Sequence, residues 1–327
     1  MFFVRYFKIE MLKSYKIIHS DYIGQRLDNY LIRILKGVPK SHIYKIIRIG
    51  LVRVNKKKVN VSLRLSYKDE IQVSSVYFTE KKKNNIFINY QIKYSLSKSV
   101  IFENDQLLVI NKPSNLAVHG GSGLCIGVIE ALREIRKDLF YLNLIHRLDK
   151  ETSGCLLISK KRSVSKYIGK LLEDRKVKKV YLALLLNTWK HPDTVSVNVR
   201  LKKVRTRFGK KIIISKKLGK YSLTMFYLLE NYQNACLVKI IPKTGRTHQI
   251  RVHSSYLGNP IIGDKKYGNM FLDTLKTINF SIDRLYLHAE SISFTIDKKF
   301  YKFQSLLDKN FFRLLKEFRS SNFYFNS

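Results

Sequence analysis

The amino-acid sequence predicts an α+β protein, with a small amino-terminal domain of two helices and a short sheet ahead of a larger domain built on a mainly antiparallel sheet. The chain has 327 residues, and 45% of them are hydrophobic, which provides apolar material for two cores. Residues 79–98 lose the clear apolar periodicity found on either side of them. Beyond that stretch, helices occur at irregular intervals among short strand-type runs, which favours α+β over repeated βαβ units.

We therefore divide the chain into an amino-terminal extension at residues 1–20, a small domain at 21–78, a linker at 79–98 and a large domain at 99–320. The start of the extension is too short and too charged for a signal peptide. The linker contains the run KKKNN at residues 81–85, which is typical of a solvated segment.

The small domain opens with two predicted amphipathic helices. Apolar residues of the first recur at i, i+3, i+4, i+7 and i+8: Leu27, Tyr30, Leu31, Ile34 and Leu35. In the second, Ser41 is expected as the N-cap and Gly50 as the stop, with one face formed by Ile43, Ile46 and Ile47. Strands are expected at residues 51–55 and 69–73, with a basic turn at 56–58 and extended structure at 59–61.

The large domain shows four short apolar runs that predict strands: residues 107–110, 155–159, 180–186 and 236–241. Its clearest helix begins at Ser163, where apolar residues fall on one face: Val164, Tyr167, Ile168, Leu171 and Leu172. Gly-rich loops join these elements, and no internal repeat is present.

The charge of the chain predicts a polyanionic partner. Lys and Arg number 62 against 24 Asp and Glu, so the formal net charge is +38, and nucleic acid is the first candidate. Lysine enrichment from an AT-biased genome is an alternative source of part of this excess. The sequence contains no run of 18 uninterrupted apolar residues, so a membrane span is not expected. The widely spaced cysteines Cys125, Cys155 and Cys236 argue for a reducing, cytoplasmic location and against a zinc ribbon or disulfide framework.

The densest group of chemically useful residues is HRLDKETSG at residues 146–154, directly before a predicted strand. Taken alone, it is compatible with a solvated loop in which Asp149 pairs with Arg147 or Lys150. The complete nonapeptide, however, resembles the signature loop of the RluA-type pseudouridine synthases, which reads HRLD followed by a TSG ending.

Three further segments resemble motifs of this family, in the family's order: IFENDQLLVINKP with AVHGGSG at 101–123, KVYLA at 179–183, and TGRTHQIRVH at 244–253 followed by Gly263-Asp264 and Tyr267-Gly268. Residues 24–73 resemble the S4 RNA-binding domain that many members carry. The strings KGVPKS, VRVNKK and GVIE resemble the subtype that acts on 23S ribosomal RNA.

The resemblance implies an isomerase that converts uridine to pseudouridine without a cofactor or metal. Asp149 is then the nucleophile, Arg251 the cation that keeps it ionised and oriented, and Tyr181 the ring that packs on the target base. Arg147 is the candidate to fill the space left by a flipped base. Arg251 could instead bind phosphate. His119, His248 and His253 have spacings that could suit a metal, but we favour loop hydrogen bonds or RNA contacts for them.

The expected partner is ribosomal RNA of the 23S type, bound by a monomer. A basic ridge on the second helix and the following hairpin is suited to phosphates: Lys40, Lys45, Arg48, Arg53, Lys56 and Lys57. Arg246 and His248 are expected to contact RNA in the large domain. Two alternatives stay open: a pseudouridine synthase for other ribosomal or transfer RNA uridines, and a non-catalytic ribosome assembly protein with an S4 domain.

Overall fold

The computed structural model describes residues 12–17, 22–35, 38–74, 88–120, 126–206, 209–268 and 282–323. The chain forms two compact units, residues 1–87 and 88–327. Several sequence predictions lie outside the described residues, namely those on Lys36 and Gly37, on residues 79–87 and on residues 121–125 with Cys125. No helix in the described segments has the length and hydropathy needed to cross a bilayer.

The first unit packs two helices on a four-stranded sheet. Its elements, in chain order, are β1 Leu12–Lys16, α1 Leu27–Ile34, α2 Lys40–Arg48, β2 Val52–Val54, β3 Lys57–Lys58 and β4 Glu70–Ser74. The strands are antiparallel and lie in the order β1-β4-β2-β3. The predicted apolar faces of both helices are buried in one core with Val52, Ile71 and Val73.

Four details of the first unit differ from the sequence prediction. Lys57 and Lys58, expected in a turn, form strand β3, because the tight turn lies at Asn55 and Lys56. Residues 12–16, expected in the extension, pair with β4 as an edge strand. Helix α2 begins at Lys40 with Pro39 as N-cap rather than Ser41, because the extended ψ of 143° at Pro39 already turns the chain into the helix. Residues 59–61 form no strand, and Val59 and Val61 pack on the core instead.

The second unit is built on one large sheet. Within the described segments it has eleven strands, in the order β11-β10-β12-β13-β9-β14-β8-β6-β5, with β15 paired to β14 and β7 paired to β8. The strands are β5 Val100–Glu103, β6 Leu107–Lys112, β7 Asn143–Leu144, β8 Ser153–Ser159, β9 Lys178–Leu186, β10 Thr194–Thr206, β11 Gly209–Ser215, β12 Lys220–Asn231, β13 Ala235–Pro242, β14 Leu287–Ile296 and β15 Lys299–Gln304. All pairings are antiparallel except that of β14 with β8, so the predicted mainly antiparallel sheet is confirmed.

Five helices cover this sheet in the described residues: α3 Tyr90–Lys98, α4 Val128–Ile135, α5 Arg162–Glu173, α6 Gln249–Tyr256 and α7 Lys309–Phe323. The predicted helix near Ser163 is α5, and Ile168 on its apolar face is fully buried. Separate apolar clusters lie under α4 and α6, under α5, and under α7. The central strands β6, β8 and β13 are therefore buried on both faces.

The structure corrects the predicted linker, because residues 90–98 form helix α3 of the second unit. Asn89 caps this helix by accepting a hydrogen bond from the backbone N–H of Gln91 at 2.9 Å. Leu96 is its one fully buried side chain, so the helix has too little apolar periodicity to be recognised in the sequence. Helix α7 extends to residue 323, three residues beyond the predicted end of the domain.

Candidate active site

The loop at residues 145–152, between β7 and β8, forms one wall of a cleft of about 480 Å³. The other walls come from the start of β9 and from the turn that leads into α6. The cleft is lined by every large-domain residue that the sequence singled out for the site: Arg147, Asp149, Tyr181, Arg246, His248 and Arg251. Residues separated by about a hundred positions in the chain therefore meet in one place.

The loop that carries Asp149 is held from below by Lys112 on β6. The Lys112 ammonium is fully buried and donates to the carbonyl oxygens of Pro113, Leu116 and Lys150 at 2.7, 2.8 and 3.0 Å. Burial lowers the pKa of Lys112 to about 7, while three carbonyl acceptors match the three hydrogens of the ammonium form. Ser114 donates to the Glu151 carbonyl at 2.6 Å. The backbone carbonyls of Lys150 and Glu151, directly after Asp149, are therefore both held by hydrogen bonds.

After the loop, Ser153 and Gly154 begin strand β8 and pair with His288 and Ala289 of β14. The Ser153 hydroxyl accepts from Arg284 Nη2 at 2.8 Å and lies 2.8 Å from Nδ1 of His288, and all three side chains are buried. Gly154 has φ +110°, and a Cβ there would lie 2.2 Å from the carbonyl oxygen of Ala289. Glycine is therefore required at this close approach of two backbones.

Arg251 lies within ion-pair distance of three carboxylates, those of Asp264, Asp149 and Glu151. Its Nε and Nη2 each donate at 2.8 Å to the fully buried carboxylate of Asp264, while Nη1 lies 3.7 Å from Asp149 Oδ2. The predicted ion pair with Asp149 is present, but the shorter, bidentate partner is Asp264, which sequence reasoning missed. The guanidinium is about 6% exposed, so it is poorly placed to meet a phosphate. The nearby acids raise its pKa despite the opposing effect of burial.

Tyr181 and Lys179 project from β9 into the cleft. Burial, reinforced by the charge of Asp149, raises the pKa of the Tyr181 hydroxyl, so it stays protonated at neutral pH. Burial lowers the pKa of Lys179. No described residue forms a hydrogen bond with the Tyr181 hydroxyl, which is therefore available to a molecule in the cleft.

Arg147 and His146, the first two residues of the signature loop, face different surroundings. Arg147 is exposed at the cleft rim, and no described residue forms an ion pair with it. His146 accepts the backbone N–H of Leu157 at Nε2, at 3.0 Å. Burial, together with the charge of Lys179, lowers the pKa of His146 to about 3. His146 is thus a neutral structural residue, whereas Arg147 is free to meet a ligand.

His248 occupies the turn before α6 and lies beside the nucleophile candidate. Its Nε2 is 3.9 Å from Asp149 Oδ2, and its Nδ1 is 2.8 Å from the hydroxyl of Tyr267. Arg246, two residues earlier, donates from Nε to the Tyr221 carbonyl at 3.1 Å and lines the same cleft. Within the described segments, no three His, Cys, Asp or Glu side chains are grouped so as to hold a metal ion.

In the first unit, the predicted basic ridge lies on the solvent side of α2 and the β2–β3 hairpin. Lys45 and Arg48 are exposed on the side of α2 opposite its buried isoleucines. The other members, Lys40, Arg53, Lys56 and Lys57, are also exposed. Asn55 and Lys56 both have positive φ, so the tight turn of the hairpin presents its lysines to solvent.

Comparison with known proteins agrees with both units. The profile of the RNA pseudouridylate synthase family matches residues 106–256, and that of the S4 domain matches residues 25–71. A Pasteurella multocida (strain Pm70) protein named "Ribosomal large subunit pseudouridine synthase C" is 45% identical over 310 residues, which cover 93% of this chain and 94% of that protein. The chain belongs to the RNA pseudouridylate synthase family.

Other pseudouridylate synthases extend the likeness. The Escherichia coli (strain K12) protein named "Ribosomal large subunit pseudouridine synthase C" is 43% identical over 279 residues, covering 85% of this chain and 87% of that protein. Among solved structures, "Human RNA Pseudouridylate Synthase Domain Containing 4" superposes with a TM-score of 0.60 at 25% identity, covering 71% of this chain and 98% of that one.

Proposed function

We propose that this pseudouridylate synthase isomerises specific uridines of large-subunit (23S type) ribosomal RNA in the bacterial cytoplasm, acting as a monomer with Asp149 as nucleophile. The observation that carries the proposal is the ion pair of Asp149 with Arg251, 3.7 Å apart at the base of a cleft also lined by Tyr181. The RNA substrate is inferred from the names of the relatives, which are ribosomal large subunit pseudouridine synthases.

The reaction breaks the bond between ribose C1′ and N1 of uracil and joins C1′ to C5. Asp149 attacks C1′, and the electron pair of the broken bond leaves with the base. After the base rotates, C5 displaces the carboxylate, the C5 hydrogen is lost as a proton, and N1 regains a proton. Nothing is consumed, so one ionised carboxylate, a cavity for the detached base and nearby hydrogen-bonding groups are sufficient.

Arg251 supports the ionised form of Asp149, since an opposite charge within a few ångströms favours the carboxylate. Tyr181 lines the same cleft and is suited to pack its ring on the uracil. The target must leave the RNA stack before it can reach this cleft. Arg147, exposed at the rim, is suited to occupy the vacated position because a guanidinium both stacks on bases and binds phosphate.

The test of the nucleophile is the variant Asp149→Asn, which keeps the side-chain shape and removes the negative charge. RNA affinity, measured over a salt series, should be kept or slightly increased, because it depends on many Lys and Arg residues. Release of tritium from RNA carrying 5-tritiated uridine should fall to background. Glu151→Gln is the matched control, since Glu151 lies in the same loop and equally near Arg251, at 3.7 Å. It should retain most of the activity.

Near-normal tritium release by the Asn variant would remove Asp149 as nucleophile. The substrate class has its own test, which is to map pseudouridine in ribosomal and transfer RNA from cells with and without the gene. Loss of sites in 23S ribosomal RNA is expected. Loss confined to transfer RNA or to small-subunit RNA would assign another substrate, and no loss anywhere would favour a non-catalytic assembly protein.

A further inference from the structure

His248 is held in an unusual backbone conformation that points its ring into the cleft. Its φ of 52° and ψ of 22° are left-handed, which non-glycine residues adopt mainly where the surroundings enforce it. The imidazole lines the cleft and is about 20% exposed, with Nε2 3.9 Å from Asp149 Oδ2. That distance is too long for a hydrogen bond. No described residue accepts or donates a hydrogen bond at Nε2.

Tyr267 determines which ring nitrogen of His248 carries the hydrogen. The Tyr267 oxygen accepts the backbone N–H of Ile212 on β11 at 3.2 Å and lies 2.8 Å from Nδ1 of His248. We assign the phenol hydrogen to the contact with Nδ1, because the oxygen already accepts the Ile212 N–H and has one hydrogen to donate. In this tautomer the His248 hydrogen is on Nε2 and points toward the space beside Asp149.

The surroundings of His248 keep the ring neutral. Groups that face it are Asp149 from the loop before β8, Arg251 on α6, and Asp264, Lys266 and Tyr267 from the turn that follows α6. Burial is the largest influence and lowers the pKa of His248, aided by the charges of Arg251 and Lys266 and opposed by Asp149 and Asp264. The cleft therefore contains a neutral N–H donor without a partner among the described residues.

We propose that His248 is a catalytic residue that donates its Nε2 hydrogen bond to a carbonyl oxygen of the uracil while the base is detached from C1′, with Tyr267 fixing the required tautomer. The inference rests on the proposed function. When the C1′–N1 bond breaks, its electron pair spreads from N1 to O2 and O4 of the base. A neutral donor stabilises this anion without transferring a proton to it, so C5 stays nucleophilic for the new bond.

The position of the donor suits this step. Nucleophile and donor lie on the same side of the cleft, so a uridine with C1′ at Asp149 has its base edge within reach of His248. A histidinium would protonate the anion and release free uracil, whereas a neutral imidazole holds it. The same logic applies in other enzymes that use neutral histidine as a hydrogen-bond donor.

The first experiment measures single-turnover rates at saturating RNA, together with RNA affinity, for His248→Ala, His248→Gln and Tyr267→Phe. Loss of a donor to a developing anion costs roughly 100-fold in rate, so His248→Ala should be slowed by about that factor with RNA affinity unchanged. Tyr267→Phe, which frees the tautomer but leaves the imidazole in place, should be slowed less than His248→Ala. The amide of His248→Gln should restore part of the rate.

A second experiment identifies the contact by replacing O2 or O4 of the target uridine with sulfur, a weaker hydrogen-bond acceptor. If His248 donates to one of these oxygens, that substitution should slow the wild-type enzyme and have little additional effect on His248→Ala. The other thio-uridine should slow both enzymes equally. Equal slowing of both enzymes by both thio-uridines would overturn the proposal.

The outcomes separate this inference from the proposed function. Absence of tritium release by the wild-type enzyme would remove the proposed function itself. A wild-type enzyme that is active while His248→Ala retains its single-turnover rate within twofold would remove only the role of His248. A loss of RNA affinity with an unchanged rate at saturation would assign His248 to RNA binding instead.

Discussion

Arg251 has one close carboxylate partner, Asp264, and two more distant ones, Asp149 and Glu151, and the distances distinguish their roles. The bidentate contact with Asp264 fixes the guanidinium plane, and the cation also lies 5.3 Å from the Tyr267 ring centre. Only Nη1 is left to face Asp149. Because Asp264 holds Arg251 independently, the cation is already in place when RNA enters, and no part of the binding energy is used to orient it.

Asp264→Asn should therefore affect stability and catalysis together. Removing one partner of a buried ion pair leaves an uncompensated charge, which costs about 3 kcal/mol, and Arg251 should then turn toward Asp149 and Glu151. We expect a lower free energy of unfolding in urea and a reduced turnover rate with unchanged RNA affinity. Glu103→Gln is the control, since Glu103 pairs with Arg136 and Lys160 at a partly exposed site and should change stability by under about 1 kcal/mol.

At the scale of elements, the hairpin of β10 and β11 concentrates positive charge at the edge of the large sheet. Residues 194–229 contain ten Lys and Arg residues and no acid. Arg200, Lys202, Lys203 and Arg205 are exposed, and none of them forms an ion pair with the described residues. Lys203 pairs with Ile212 of β11, and Ile212 packs in a cluster with Tyr267. These charges support an RNA partner beyond the cleft.

The paired substitutions Lys203→Gln and Arg205→Gln should weaken RNA binding and reduce its salt dependence. Each lost phosphate contact lowers the slope of log affinity against log salt by roughly 0.7 to 0.9, so a drop of about 1.5 is expected, with an unchanged rate at saturating RNA. The control is Lys298→Gln with Lys302→Gln, which removes two exposed lysines at the hairpin of β14 and β15. An equal loss in the control would attribute the effect to net charge rather than to the β10–β11 hairpin.

The sequence predicted elements where apolar periodicity is strong and missed them where contacts with distant residues decide the structure. The strand at 155–159 was predicted from a continuous apolar run that is buried at every position, and the helix near Ser163 from apolar residues at helical spacing, of which Ile168 is buried. Strand β1 depends on pairing with residues almost sixty positions away. Asp264 belongs to the Gly263-Asp264 pair that resembles the family motif. Its contact with Arg251 depends on how the chain folds after α6, and no pattern in the neighbouring residues predicts it.

At the scale of the whole molecule, three histidines besides His248 are held neutral by burial in separate parts of the second unit. His146 uses a ring nitrogen to accept the Leu157 N–H. In His253, Nε2 lies 2.9 Å from the Ser222 hydroxyl, and Nδ1 is buried without a partner. His288 lies between the hydroxyls of Ser153 and Ser305. Protonation would remove the hydrogen bond that His146 accepts, would give His253 a buried N–H without a partner, and would place a charge at the buried site of His288.

Acid should therefore destabilise the second unit over a defined pH range. Burial lowers the pKa of His253 and of His288 to about 4, below the value near 6.5 of an unfolded chain. Between these two pKa values only the unfolded state binds the proton. The contribution of each neutral histidine to the free energy of unfolding is therefore fully present above about pH 6.5 and is lost as pH falls toward 4. At pH 5 the loss is roughly 2 kcal/mol for each histidine.

The measurement is urea unfolding from pH 7.5 to 5, comparing the wild-type protein with His253→Asn, which cannot take up a proton. The substitution also lowers the free energy of unfolding by a constant amount, which is measured at pH 7.5. Below pH 6.5 the free energy of unfolding of the variant should fall less steeply than that of the wild-type protein, and the two slopes should differ by about 1.4 kcal/mol per pH unit. An identical slope in both proteins would mean that His253 is already protonated in the folded state near pH 6. The buried Nδ1 would then need an acceptor that the described residues do not provide.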